Sequence, residues 1–277
     1  MSTPPMPLGP LATIVESARQ TLARLLRHRV RWVVLGMALL LAAASWLLGR
    51  TAHERVTGEV LACALLWWLL ATVLMPWATL YLGVHAVHGD LEDRTAQYLF
   101  LRPVGRVPLL LGKWLATAVA GLVVGLLGIA AVVGGLLPHQ RLWEAGGAGA
   151  ARTALVFAAA IAAGALAYAA AAAAFSAIFR RPLLWAALFV VGLQQLAANL
   201  PVSAAVRQAT IADPMRRIVL DGLEPEPRLA ELLWPAQRFA PELLGSPLQD
   251  LAWTLGCCLL LAAWFYARSE YDSRPRD

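Results

Sequence analysis

The chain has 277 residues, of which 60% are hydrophobic and 14% charged, and its mean hydropathy is +0.64. That composition excludes an ordinary soluble core and points to a polytopic membrane protein, because several apolar runs approach the ~20 helical residues that cross a bilayer. The net charge of +6 follows from where the arginines lie relative to those runs, so it gives no ground for nucleic-acid binding.

The opening MSTPPMPLGP is proline-rich and reads as loose chain. From Leu11 the apolar positions Leu11, Ile14, Val15, Ala18, Leu22, Leu25 and Leu26 trace one helical stripe that Arg24, Arg27 and Arg31 avoid. Thr13 and Glu16 have capping-box spacing. The expectation over 11–31 is an amphipathic helix lying on the cytoplasmic lipid surface, its arginines at anionic headgroups; a helix packed on protein is the alternative.

Six transmembrane helices are expected, near 32–48, 60–87, 114–137, 153–178, 182–200 and 251–267, in one permease domain over 1–277. Ala and Leu dominate every run and strand-type alternation is absent, so the fold class is all-α, not a barrel. The polar stretch before the first span is too long for a signal-peptide n-region, so that span should be retained. Pro76, in the middle of the second span, removes a backbone donor and predicts a kink. The fourth span is nearly all Ala from Ala158 to Ala174, with Gly164 and Tyr168; it reads as a smooth face for close helix approach or as a coding bias toward Ala. In the fifth, Gln194, Gln195 and Asn199 gather, and Gln195 and Asn199 share a face. Buried amides in lipid either bond a neighbouring helix or line a wetted path, which makes these two candidates for a translocation route. The external loop 200–250 holds Pro201, Pro214, Pro225, Pro227, Pro235, Pro241 and Pro247 and reads as short interfacial or re-entrant helices, with Trp234 and Phe239 as headgroup anchors.

An even number of spans puts both termini on one side. Arg19, Arg24, Arg27, Arg29 and Arg31, then Arg94, Arg102, Arg106 and Lys113, then Arg180 and Arg181, then Arg268, Arg274 and Arg276 all fall on that side, which the positive-inside bias makes cytoplasmic. The arginines of 200–250 lie in a long translocated loop, where the bias is weak.

Motifs for chemistry in the chain are poor. Cys63, Cys257 and Cys258 lie inside spans without metal-type spacing and read as packing residues. The LLLGK run at Lys113 is not a phosphate-binding loop, since Gly105 is too far from Gly112 and Trp114 follows the lysine; Lys113 is expected to snorkel to the headgroups. His85 and His88 with the nearby acids lack further ligands on another span, and no intramembrane hydrolase or zinc motif occurs. Neither a catalytic residue, a metal nor a cofactor is therefore expected in this chain.

Residues 88 to 113, HGDLEDRTAQYLFLRPVGRVPLLLGK, interrupt the greasy runs. Asp90, Glu92 and Asp93 gather where a helix is expected to begin, with Leu91, Thr95, Tyr98 and Leu99 at helical spacing after them. Pro103 restricts Arg102 and should stop that helix, after which Arg106, Pro108 and Lys113 lead back to the membrane. Such a short, ordered cytoplasmic helix suits docking of a partner.

GVHAVHGDLEDRTAQYLFLRPVGRVPLLLGKWLA, residues 83–116, resembles the cytoplasmic signature of type-2 ABC transporter permeases through Glu92, Thr95, Tyr98, Leu99, Arg102, Pro103, Arg106, Gly112 and Lys113. Arg94 departs from the glycine common there. The resemblance implies a bacterial inner-membrane permease subunit with both termini cytoplasmic. It implies pairing with a second permease subunit, identical or sibling, and with two ABC ATPase subunits that hold the ATP and Mg. Asp90, Leu91, Glu92, Asp93, Arg94, Thr95, Tyr98, Leu99, Arg102, Pro103 and Arg106 would form the coupling segment. Two other classes stay open from the residues: an enzyme using the His and acid groups at the inner surface, and a membrane anchor that drives a partner complex without transporting.

Overall fold

Gly9 and Pro10 start the first helix of the computed structural model, which describes residues 9–27, 30–51, 57–92, 105–139, 147–197, 210–223 and 246–268. The helices are α1 (Pro10–Arg27), α2 (Val30–Thr51), α3 (58–92), α4 (Arg106–Leu136), α5 (Gly147–Ile178), α6 (182–197), α7 (Ala212–Leu223) and α8 (Pro247–Arg268). No strand occurs among the described residues. Helices α2, α3, α4, α5 and α8 are each long and apolar enough to cross a membrane, and α6 contains a shorter apolar stretch, Pro182–Gln195. The protein is an all-α polytopic membrane protein.

Helix α1 begins three residues before the expected cap. Proline suits a first helical position, where its missing N–H has no partner to lose. Thr13 therefore lies inside the first turn and its Oγ1 donates to the Gly9 carbonyl at 3.2 Å, while Glu16 accepts from Arg19 at 3.0 Å and from Gln20 at 2.8 Å. The Thr13–Glu16 capping box does not form. The helix shares its surface between the two environments expected as alternatives. Thr13 and Ser17 are buried and α1 packs against the start of α4, whereas Leu11 and Val15 stay exposed.

Small residues decide how the bundle closes. Ser17 Oγ donates to the Leu109 carbonyl at 3.2 Å, an approach that Gly112 permits: a Cβ there would lie 2.6 Å from the Ile14 carbonyl oxygen. Along the rest of α4, Gly121 faces Thr79 of α3, Gly125 faces Ile161 of α5 and Gly135 faces Ser45 of α2, so one helix receives three neighbours at its glycines. Helix α5 works differently. Ala165, Ala167 and Tyr168 through Ala174 are all buried, because α3, α4, α7 and α8 surround it, and a helix apolar all round belongs inside. The outward faces of α2 (Trp32, Leu39, Leu40) and α8 (Trp253, Leu260) are exposed apolar surface of the kind lipid covers.

Two further expectations change. Helix α4 starts at Arg106, with Gly105 extended before it and Pro108 in its first turn, so Arg106 and Pro108 are already helical. Lys113 follows two turns in and is 3% exposed: it does not snorkel, because α1 covers this part of α4. The second change is in α3, where α-helical Gly58–Ala64 and Met75–Glu92 flank a π-helical Leu65–Leu74 that ends at Pro76, the residue expected to kink the span.

Candidate functional site

Two places collect polar chemistry, one where α3 meets α4 at the end of the bundle and one deep between the helices. At one end α3 stops at Glu92 and α4 resumes at Arg106, with 93–104 outside the described residues. Asp90, Leu91 and Glu92 form the last turn of α3. Asp90 and Glu92 are thus continuous with the helix from Met75, and the helix expected to follow them falls on 93–104, outside the described residues. Asp93, Arg94, Thr95, Tyr98, Leu99, Arg102 and Pro103 lie outside the described residues. Arg106 is exposed, and its Nη1 donates to the Ala267 carbonyl at 3.2 Å. That carbonyl sits in the last turn of α8, where a helix leaves its acceptors unsatisfied and its dipole favours a cation. The strand of chain leaving 93–104 is thereby tied to the end of the last helix. His85, two turns from this end, is edge-on to Tyr81 with ring centroids 4.5 Å apart, and no group of three His, Cys, Asp or Glu suited to a metal occurs among the described residues.

The glutamines of α6 hold helices together. An α-helical ladder would send the N–H of residue 76 to the carbonyl of Thr72, and Pro76 has none. Gln195 Nε2 donates to that Thr72 carbonyl, bridging α6 to α3 at the position the proline opened. Gln194 is buried, and its Oε1 accepts from the backbone N–H groups of Ile211 and Ala212, each at 3.0 Å, with the Tyr168 hydroxyl at 3.4 Å. Asn199 lies outside the described residues.

Those two N–H groups open α7, and the contacts of α7 fix its depth. Met215 faces Gly164 and Gly222 faces Val156, while Arg152 Nη2 donates to the Gly222 carbonyl at 3.1 Å. Helix α7 therefore runs antiparallel to α5, from the level of Tyr168 back toward the end where α5 begins. Its start lies well inside the apolar length of α5. Backbone polar groups at that depth require protein partners. Gln194 supplies one, and Thr210 Oγ1 another by accepting from the Asp213 N–H at 3.2 Å.

The charges carried by α7 escaped the sequence reading. Asp213 is 0% exposed and Arg216 1%. Arg217 Nε lies 3.3 Å from Asp213 Oδ2, and its Nη2 pairs with Asp250 in the first turn of α8. Arg216 stacks over the Trp67 ring of α3, 5.1 Å from its centroid. Two acids and two arginines so sum to zero formal charge, the condition under which ions persist away from water. A signal existed: Thr210-x-x-Asp213 has capping spacing, and Pro214 beside it suits a first turn.

Among the described residues the arrangement brings together ion pairs and helix-bridging hydrogen bonds, and no group of residues suited to a metal. None of the curated proteins compared with the chain matches it. Residues 12–215 match the family described as ABC-2 family transporter protein, a stretch that runs from α1 past Gln194 and Asp213 as far as Met215 of α7. The chain belongs to the ABC-2 transporter family, as a permease subunit.

Proposed function

We propose that this chain is the membrane half of an exporter-type ABC transporter that works as a dimer of permease subunits with two separate ATPase subunits. The ATPases dock from the cytoplasm on Asp90 to Arg102, and both chain termini face that side. ATP and Mg bind on the partner, since the LLLGK run of this chain lacks the spacing of a phosphate loop. The single observation that carries the reading is the family match over 12–215, which spans the coupling segment.

Mechanically, closure of the ATPases displaces the 93–104 segment, and the helices at its two flanks, α3 and α4, receive that displacement. The substrate class stays unassigned, because the buried charges of α7 already neutralise one another. The test is copurification and hydrolysis with the cognate ATPase. Wild-type chain should retain the ATPase and alter its turnover, and Glu92→Ala and Arg102→Ala should weaken both effects. Unchanged retention and turnover in both variants would remove the docking role. Labelling of introduced cysteines between 93 and 104 by a membrane-impermeant reagent, in cells and in inverted vesicles, checks the orientation: reaction only from outside the cell would reverse it.

A further inference from the structure

Helix α8 is fastened at both of its ends by charged side chains and lies along α5 in between. At the 93–104 end, Arg106 donates to the Ala267 carbonyl, and Ala262 and Tyr266 pack with Leu110, Val87 and Ala174. At the opposite end, Asp250 holds Arg217 of α7, which also lies against Asp213. Between these points the described α8 residues are mostly exposed or half-buried, and its protein neighbour is the alanine surface of α5. Alanine offers no ridge that would lock a neighbouring helix against a small axial or rotational shift. Helix α8 is itself uninterrupted for 22 residues, about 33 Å at 1.5 Å per residue, with its only proline at the first position. Of the two helices that flank the 93–104 segment, α3 is broken by its π-helical stretch and Pro76, so a displacement entering it is partly absorbed, and α4 is tied to α8 through Arg106.

We propose that α8 is a rod that carries displacement from the 93–104 segment to α7, with Arg106 positioning one end of the rod and the Arg217–Asp250 pair the other. An ion pair held away from water is poorly screened and resists separation, so α7 follows α8. Since α7 opens midway through the membrane, its movement alters the region around Gln194, Tyr168 and Trp67. The inference rests on the reading above that ATP-driven partners move the 93–104 segment, and its test separates the two.

The experiment uses the full complex of this chain with its ATPase in lipid nanodiscs, with Cys63→Ala, Cys257→Ala and Cys258→Ala as background. One reporter cysteine replaces exposed Asp221 on α7; in a second protein it replaces exposed Arg181, at the 93–104 end. Maleimide labelling rates are compared without nucleotide and after trapping with ATP and vanadate. Both reporters should change rate on trapping. Asp250→Asn and Arg106→Gln should each abolish the change at Asp221→Cys while keeping the change at Arg181→Cys, and Asp250→Glu, which keeps the charge, should restore it. A change at Asp221→Cys that survives both variants, or a wild-type response confined to Arg181→Cys, overturns the rod. A wild-type complex in which neither reporter responds overturns the ATPase reading and the rod with it. Arg106 is exposed, so Arg106→Gln decides the matter alone if Asp250→Asn does not assemble.

Discussion

At the end of the bundle that carries residues 93–104, the arginines whose surroundings are described, Arg19, Arg24, Arg106, Arg180, Arg181 and Arg268, are exposed, and Lys113 is buried. Deep between the helices, Arg217 pairs with Asp213 and Asp250, and Arg216 lies over the Trp67 ring. The same residue types thus do different work. Exposed charge at the first place contributes little to the fold, whereas charge at the second is part of the packing around α7.

The largest test of that contrast is to remove one charge from each place. Asp213→Ala takes a carboxylate from Arg217 and from the first turn of α7, leaving buried positive charge in excess. It should cost about 3–5 kcal/mol, read as a large fall in the thermal unfolding midpoint in detergent and in assembled yield. Arg106→Gln, at an exposed site, should cost below about 1 kcal/mol by the same measurement. Equal losses would mean that the two places are not distinguished by burial.

The contrast also explains what was readable from the residues alone. The spans were legible because lipid demands long apolar helices, and the 83–116 patch because its residue pattern is specific. Asp213, Arg216 and Arg217 were hidden because sequence-adjacent charge in a proline-rich loop reads as solvated; burial came from partners far along the chain, Gln194, Asp250 and Trp67. Lys113 was misread for the same reason, as nothing local to the LLLGK run announces that α1 folds over it. Gln195 was visible as a buried amide, but its partner emerged only when Pro76 and Thr72 were brought beside it.

That pairing gives the next effect in size. Gln195→Leu leaves the Thr72 carbonyl buried and unsatisfied, a loss of about 1–3 kcal/mol in the same unfolding assay. Pro76→Ala supplies the missing N–H, so the loss from Gln195→Leu should shrink in a Pro76→Ala background. An equal loss in both backgrounds would show that the bridge does not answer to the proline. At the 93–104 end, Gly112→Val would push a side chain into the Ile14 carbonyl and Ser17, separating α1 from α4 at a cost of about 1–3 kcal/mol. Faster proteolysis after Arg24 would locate that loss in α1.

The smallest effect belongs to Glu16, on the open face of α1. The hydrogen bonds from Arg19 and then Gln20 hold its carboxyl below the usual glutamate range. A carboxylate whose folded pKa is depressed stabilises the fold above its unfolded value, and that contribution disappears as pH falls through the folded one. Because Glu16 and Arg19 meet in the presence of solvent, salt and water screen the pair, unlike Asp213 with Arg217. Glu16→Gln should therefore lower the unfolding midpoint less than any substitution above, with whatever difference exists present at about pH 7 and gone at about pH 3. A loss as large as that of Asp213→Ala, or one that grows in acid, would show that α1 is held by its charges and not by the Gly112 contact.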